Sequence, residues 1–549
     1  MNDLDIANAF NEYFCNIAID LDNSLPLSNI DPLRYLNFNS LTSMYLFPVD
    51  VSECMKIISS LKITKQDVNS IPVPIFKSFS ACFIDVLCDI INMAFSNGIF
   101  PDSLKIAFTI PIFKKGDKFV ITNFRPISLL PFMSKIFEKC LYNRLLNFLS
   151  DNQILNQNQY GFLRGKSTED AMVDLMKHLH QSLNSKLSRV NIFIDFRKAF
   201  DTLNHNILLR KLNAYGIRGP PLKLIQNYLF NRKQFVKINN TFSSVGNITL
   251  GIPQGSVLGP LLYLIYVNDL PNLSQNYQTI LFADDTVLSF EGKNPSEINR
   301  NCNLELGILN DWAIANRLTI NSDKTFFNIV SNSKFPPNSF DINLNNVPIS
   351  QNSSITYLGV IFDEKLKFNL HIKDICNKIS KSIGVLNKLR DNVPHFALKN
   401  LYYSLIFPYL NYCNIIWGGT YFSHLNPLII LQKKAIRIIN NCSYFHHTNK
   451  LFFVNRILKL SDLNKFHLLV HMYKLPDHSK FIRSHQYSTR FRTQLNPSFQ
   501  RLTSTQMFID YRGPLEWNKI PPNIKNSQSL EIFKRRLKYY FIENYDQME

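Results

Sequence analysis

The stretch 279-TILFADDTVLSF-290 sets two adjacent carboxylates, Asp284 and Asp285, between two apolar runs, which reads as a β-hairpin with the acidic pair at its tip. Enclosing two like charges there is costly unless a cation shares the site. Upstream, the apolar run 191-NIFIDF-196 closes on a third carboxylate, Asp195. Side chains alternate along a strand, so Ile192 and Ile194 face one way while Phe193 and Asp195 face the other, and the carboxylate leaves the sheet at the strand's C-terminal end. The chain between the two runs is long enough for a crossover that lays them side by side. Three carboxylates converging on one spot fit two divalent ions, about 3.5–4 Å apart, clamping the attacking and leaving oxygens of a phosphoryl displacement. Nucleotide polymerisation is the expectation.

Composition agrees with that chemistry. The 549 residues carry 60 Lys and Arg against 41 Asp and Glu, a formal charge of +19 and a pI near 9.4, which favours a polyanionic partner, nucleic acid before an anionic membrane. The length suggests three or four modules. Nine cysteines include no Cys-x-x-Cys pair and no Cys/His cluster with zinc-ligand spacing, so reduced, structural thiols are expected. The start, MNDLDIANAFNEYF, lacks the basic and apolar regions of a signal peptide, and there is no run of 18 apolar residues. An intracellular chain with no membrane partner is the expectation.

Residues 1–65 mix short helical patterns with polar, Pro-containing stretches and read as an extension or connector. Between 66 and 190, helical stretches flank an expected hairpin whose turn, 114-KKGDK-118, separates two apolar strands. From 190 to 365 the strands VNIFIDF, QFVKIN, TILFADDTVLSF, TFFNIV and SITYLGVIF alternate with helices, indicating an α+β domain built on one sheet. After 366 the pattern is mostly helical. There, 428-LIILQKKAIRIIN-440 puts Leu428, Leu431, Ala435 and Ile438 on one stripe, with Lys433, Lys434 and Arg437 opposite. Such a face suits a helix following a phosphate backbone, or an ordinary solvated surface.

The motifs RPISLL (125–130), QYGFLRGKST (159–168), AFDTLNH (199–205), GIPQGSVLGP (251–260), FADDT (282–286), LTINSDKT (318–325) and YLGV (357–360) follow one another in this order. This ordered set resembles the reverse transcriptases of non-LTR retrotransposons, of the LINE type and jockey-like, strongly over about 100–365 and more loosely beyond. The resemblance implies a right-hand polymerase: fingers at about 66–190, a palm with a ferredoxin-like antiparallel sheet at about 190–365, a helical thumb at 366–450, and a nucleic-acid-binding region at 451–549. It implies RNA-directed DNA synthesis from an RNA template, a DNA primer or target and dNTPs, by target-primed reverse transcription in the nucleus and cytoplasm.

The resemblance also assigns roles. Asp195, Asp284 and Asp285 would hold two Mg²⁺ ions, with Mn²⁺ as an alternative and the Phe196 carbonyl as an extra ligand, since Mg²⁺ favours few carboxylates plus substrate phosphates. Phe200 would set its ring against the sugar's 2′ position, where RNA-synthesising polymerases place a carboxylate; Asp201 falls one residue too late. Gln254 and Gly255 would meet the nucleotide and template. Lys324 would lie near the pyrophosphate leaving group. Lys114 or Lys115, with Arg125, would close over the triphosphate. Arg164 and Lys166 would make template or backbone contacts; the Lys433, Lys434 and Arg437 face, read from helical spacing, is the further nucleic-acid candidate.

Full-length elements of this type join an endonuclease ahead of the polymerase, and no such constellation, zinc knuckle or ribonuclease H-like acidic set is found. A polymerase portion of a longer element is the expectation. The alternative is a catalytically inactive nucleic-acid-binding remnant, against which the retained carboxylates argue.

Overall fold

The computed structural model of the chain describes residues 2–36, 40–61, 72–336, 339–475, 481 and 494–545. The boundary placed near residue 65 falls within 62–71, outside the described residues.

The β-branched and aromatic runs form strands where alternation indicates. β1 (Ile106–Phe113) and β2 (Phe124–Leu129) pair antiparallel around the KKGDK turn. β3 (Ser188–Ile194) is buried at all seven residues. β4 (Arg232–Ile238) returns to β1 and runs parallel with it, while β5 (Thr241–Phe242) and β6 (Gly246–Ile248) fold back on β4. This first sheet therefore draws strands from both sides of residue 190. β7 (Gln278–Phe282) and β8 (Asp285–Gly292) form the acidic hairpin, followed by β9 (Phe326–Val330), a short β10 (Asn343–Leu344) and β11 (Val347–Pro348) ladder, and β12 (Ser350–Gln351). The second sheet has the order β12-β9-β3-β8-β7, and β13 (Ser354–Tyr357) with β14 (Val360–Asp363) makes a separate hairpin.

Two of the five strands expected on one sheet thus leave it. QFVKIN lies in the first sheet and SITYLGVIF forms its own hairpin. Alternation tells which residues are buried, and long-range pairing tells which strand is the neighbour.

The second sheet is apolar on both faces, which is why its strands read as continuous hydrophobic runs. Val190, Ile192, Ile194, Leu288, Phe290 and Phe327 join a core beneath the helices His205–Ala214, Gly259–Tyr266 and Pro295–Ala315. Phe193, Ile280, Val287 and Val330 join a second core shared with the helix Thr168–Asn184 and the carboxy-terminal helices from Asn369–Leu389 to Leu530–Glu543. Behind the first face, Lys211 and Asp269 form a fully buried ion pair at 2.7 Å, and Trp312 Nε1 donates to the same carboxylate at 3.2 Å. In the helix Phe422–Ile439 the apolar stripe is buried at Leu428, Ala435 and Ile438 and half-buried at Leu431, with Lys433 and Lys434 exposed.

The amino-terminal helix Asp3–Ser24 lies against β4, β5 and β6. Gln234 Nε2 donates to Asn11 Oδ1 at 3.1 Å, and Asn11 Nδ2 to the Ser244 carbonyl at 2.9 Å. At its far end Arg317 Nε pairs with Asp22 at 2.6 Å, so the helix ties the first sheet to the end of helix Pro295–Ala315. Among the described residues no single helix is long and apolar enough to cross a membrane.

Candidate active site

β3 and β8 run antiparallel with Ile194 opposite Thr286, so the next step along each strand sets Asp195 beside Asp285. Phe282 pairs with Asp285, leaving Ala283 and Asp284 as a two-residue turn. Ala283 takes φ 57°, a left-handed conformation that costs an L residue roughly 1–2 kcal/mol. The three carboxylates act on one another. Burial raises the Asp284 carboxyl above its ordinary value, with Asp195 adding to the rise. Asp285 has solvent-exposed surface, yet the crowding of protein around it, then Asp284 and Asp195, push it up to about 6. A hard, oxygen-only donor set whose members repel one another fits a hard divalent cation. Among the described residues no group of three or more His, Cys, Asp and Glu side chains is placed to hold a metal ion by itself.

Cations surround the acidic cluster. Lys324 Nζ lies 3.5 Å from Asp195 Oδ2, and Asn321 Nδ2 donates to the same oxygen at 2.9 Å. The segment bearing both is pinned because Phe196 bridges Ile320 and the Asn321 N–H donates to the Asp195 carbonyl. The Phe196 side chain itself is buried against Trp312. From the β1–β2 hairpin, Lys114 and Arg125 both favour the charged forms of Asp284 and Asp285. Both candidate lysines have exposed surface, and it is Lys114 whose charge is felt at the carboxylates. Burial, then Arg125 and Lys324, lower the Lys114 ammonium, as expected where three cations crowd.

Phe200 stacks on Tyr263 with centroids 4.5 Å apart and planes 20° apart, and Phe162 meets it edge-on at 6.1 Å. The loop 251–255 docks against it, Ile252 N–H donating to the Phe200 carbonyl at 2.9 Å. Gln254 Nε2 donates to Asp201 Oδ1 at 2.8 Å, which engages that carboxylate and leaves its Oδ2 buried without a hydrogen-bond partner. Gly255 has φ 124°, and a Cβ there would lie 2.6 Å from the Ser128 carbonyl oxygen, so only glycine at 255 lets the loop lie this close to β2.

Residues 112–362 match the family described as reverse transcriptase (RNA-dependent DNA polymerase). The probable RNA-directed DNA polymerase from transposon BS of Drosophila melanogaster is 29% identical over 415 residues, 73% of this chain and 46% of its own length. The RNA-directed DNA polymerase from mobile element jockey of the same organism is 29% identical over 395 residues, 69% of this chain and 42% of its own. Over residues 112–362 the chain carries a reverse transcriptase domain, similar to those of the BS and jockey elements. It spans less than half the length of these two relatives.

Other expected contacts lie elsewhere on the reverse transcriptase domain and its helical continuation. Arg164 is exposed and lines a cleft of about 850 Å³ together with Lys139, Tyr142 and Phe162. Lys166 is engaged inside the protein, its ammonium donating to the carbonyls of Gln157 and, at 2.8 Å, Gln159, over the Tyr160 ring. Lys433 and Lys434 point to solvent, whereas Arg437 is half-buried and donates to the His446 carbonyl at 2.8 Å.

One residue escaped the sequence reading. Gln159, 3% exposed, accepts through Oε1 from the N–H groups of Gly161 at 2.8 Å and Ala283 at 3.0 Å, holding the acidic turn in its left-handed geometry. Around it the Tyr160 N–H donates to the Leu281 carbonyl at 2.8 Å, and the Leu281 N–H to Asn158 at 2.9 Å, so 158–160 extends the sheet past β7. A Cβ on Gly161 would collide with the Ala283 backbone nitrogen, so glycine alone permits this approach. A lone glutamine in a polar loop carries no periodic signal, and only the glycine of QYGF hinted at a close backbone approach.

Proposed function

We propose that this chain is the RNA-directed DNA polymerase portion of a non-LTR retrotransposon, extending a DNA primer on an RNA template by target-primed reverse transcription. The observation that carries the reading is the meeting of Asp195 with the Asp284–Asp285 turn, ringed by Lys114, Arg125 and Lys324. Asp195, Asp284 and Asp285, with the Phe196 carbonyl, would hold Mg²⁺ or Mn²⁺. When bound, the ions would lower the pKa of the primer 3′-hydroxyl and neutralise charge on the triphosphate.

The chain's own groups supply positioning and charge. Arg125 offers a planar fork and Lys114 a point charge for the triphosphate oxygens. Lys324, already beside Asp195, would turn to the departing pyrophosphate, neutralising it or giving it a proton. The Phe200 ring, backed by Tyr263, would occupy the space a ribose 2′-hydroxyl needs. Gln254, steadied by Asp201, and Gly255 would border the nucleotide, with Arg164 on the approach of the template. The partners would be element RNA, target DNA and dNTPs, met inside the cell in nucleus and cytoplasm without a membrane.

The test is extension of oligo(dT) on poly(rA), comparing dTTP with UTP, in Mg²⁺ and with chelator. Extension with dTTP alone, abolished by chelator, is expected. Binding without extension would leave only a nucleic-acid scaffold, and extension with UTP would point to an RNA-synthesising enzyme.

A further inference from the structure

Between Asp391 and Asp462 the sequence contains no aspartate or glutamate at all, while Lys399, Lys433, Lys434, Arg437, Lys450, Arg456 and Lys459 all fall within it. In a chain with 41 acidic residues among 549, a stretch of this length would ordinarily hold several. Such a one-signed block repels cations and attracts a polyanion along its whole surface. The structure folds it into the helices His395–Leu405, Phe422–Ile439 and Asn449–Asn455 with shorter turns between them.

Exposed rings interleave with these charges. Phe396, Phe422, Tyr444 and Phe445 are 67%, 70%, 64% and 86% exposed, the last two on the loop that follows helix Phe422–Ile439. That loop is built. Arg437 donates to the His446 carbonyl and sets its guanidinium 5.7 Å from the Tyr444 ring centroid, while the Cys442 N–H returns to the Arg437 carbonyl at 2.9 Å. Tyr444 and Phe445 stand edge-to-face at 5.3 Å and 89°. Arg437 thus shapes the loop, and the loop displays two rings, His446 and His447 to solvent beyond the end of the helix that carries Lys433 and Lys434.

We propose that the Tyr444–Phe445 loop and the flanking Lys433 and Lys434 bind single-stranded RNA, bases stacking on the rings while the lysines follow the phosphates. Exposed rings beside a basic segment with no carboxylates of its own fit an unpaired strand, because a duplex hides its base faces. The choice of RNA rests on the reading of the chain as an RNA-templated polymerase, whose long single strand is RNA.

The experiment measures binding of the whole chain to fluorescent oligo(rU) of about 20 nucleotides, to the matching oligo(dT), and to an RNA–DNA duplex. Tyr444→Ala with Phe445→Ala should weaken oligo(rU) binding roughly tenfold or more and duplex binding less than about threefold. Both rings are exposed, so folding should survive, and an unchanged melting temperature checks this. Tyr444→Trp should retain binding, which a loss of fold alone would not predict. Unaltered oligo(rU) affinity, or equal losses for strand and duplex, would overturn the proposal, and tighter binding of oligo(dT) than oligo(rU) would overturn the choice of RNA. Extension on poly(rA) is scored separately: a chain that binds oligo(rU) through these rings without extending primers would sink the polymerase reading and leave this one standing.

Discussion

Phe200 cannot swing aside easily, because Tyr263 stacks on one face and Phe162 meets it edge-on. Phe200→Ala should therefore raise ribonucleotide incorporation relative to deoxyribonucleotide by about tenfold or more, read from single-nucleotide insertion kinetics. Unchanged sugar discrimination would remove its role as a gate. Gln159 acts one step further from the chemistry. Replacing it with methionine keeps the bulk but leaves the N–H groups of Gly161 and Ala283 buried and unpaired, roughly 1–3 kcal/mol of lost stabilisation centred on the turn. Gln159→Met should slow single-turnover extension by about tenfold while oligo(rU) binding stays near that of the wild type. A rate equal to wild type would mean that the turn holds its shape without the clamp.

At the scale of elements, the helix Phe422–Ile439 separates its roles by face. Exchanging Lys433 and Lys434 for glutamine should flatten the salt dependence of RNA binding, the log–log slope falling by about 0.7–0.9 for each phosphate that a lysine no longer neutralises. A slope indistinguishable from wild type would mark these lysines as ordinary solvated surface. The stripe of this helix and the acidic hairpin were legible in the sequence, because periods of 3.6 and 2 are local properties. Asp195 was legible for the same reason, alternation separating Phe193 from Ile192 and Ile194 into the two cores. Sheet membership was not, since QFVKIN alternates equally well beside β1 or β3. The docking of helix Asp3–Ser24 was hidden too, because its partners Gln234 and Ser244 lie more than two hundred residues along the chain. Arg437 read as a phosphate contact on helical spacing, and only the folded loop shows its tie to His446.

Across the whole molecule, the second sheet is the shared floor of two cores, and the carboxy-terminal one encloses three histidines. Burial lowers His180, His371 and His467 to about 4 from the ordinary value near 6.5. The unfolded chain then binds more protons than the folded one below about pH 6.5, so this contribution to stability is complete above that pH and is lost progressively as pH falls toward 4. Thermal melts should show the transition temperature dropping between pH 7 and pH 5, less so in His180→Phe; a transition temperature independent of pH would contradict the burial of neutral imidazoles. The site above that floor depends on carboxylates delivered by two strands to one place. Its sharpest test is primer extension on poly(rA)–oligo(dT) by the wild type and by Asp284→Asn, with RNA affinity measured in parallel. The substitution should abolish Mg²⁺-dependent extension and leave RNA binding largely intact, whereas equal extension by both proteins would remove the acidic turn from the chemistry.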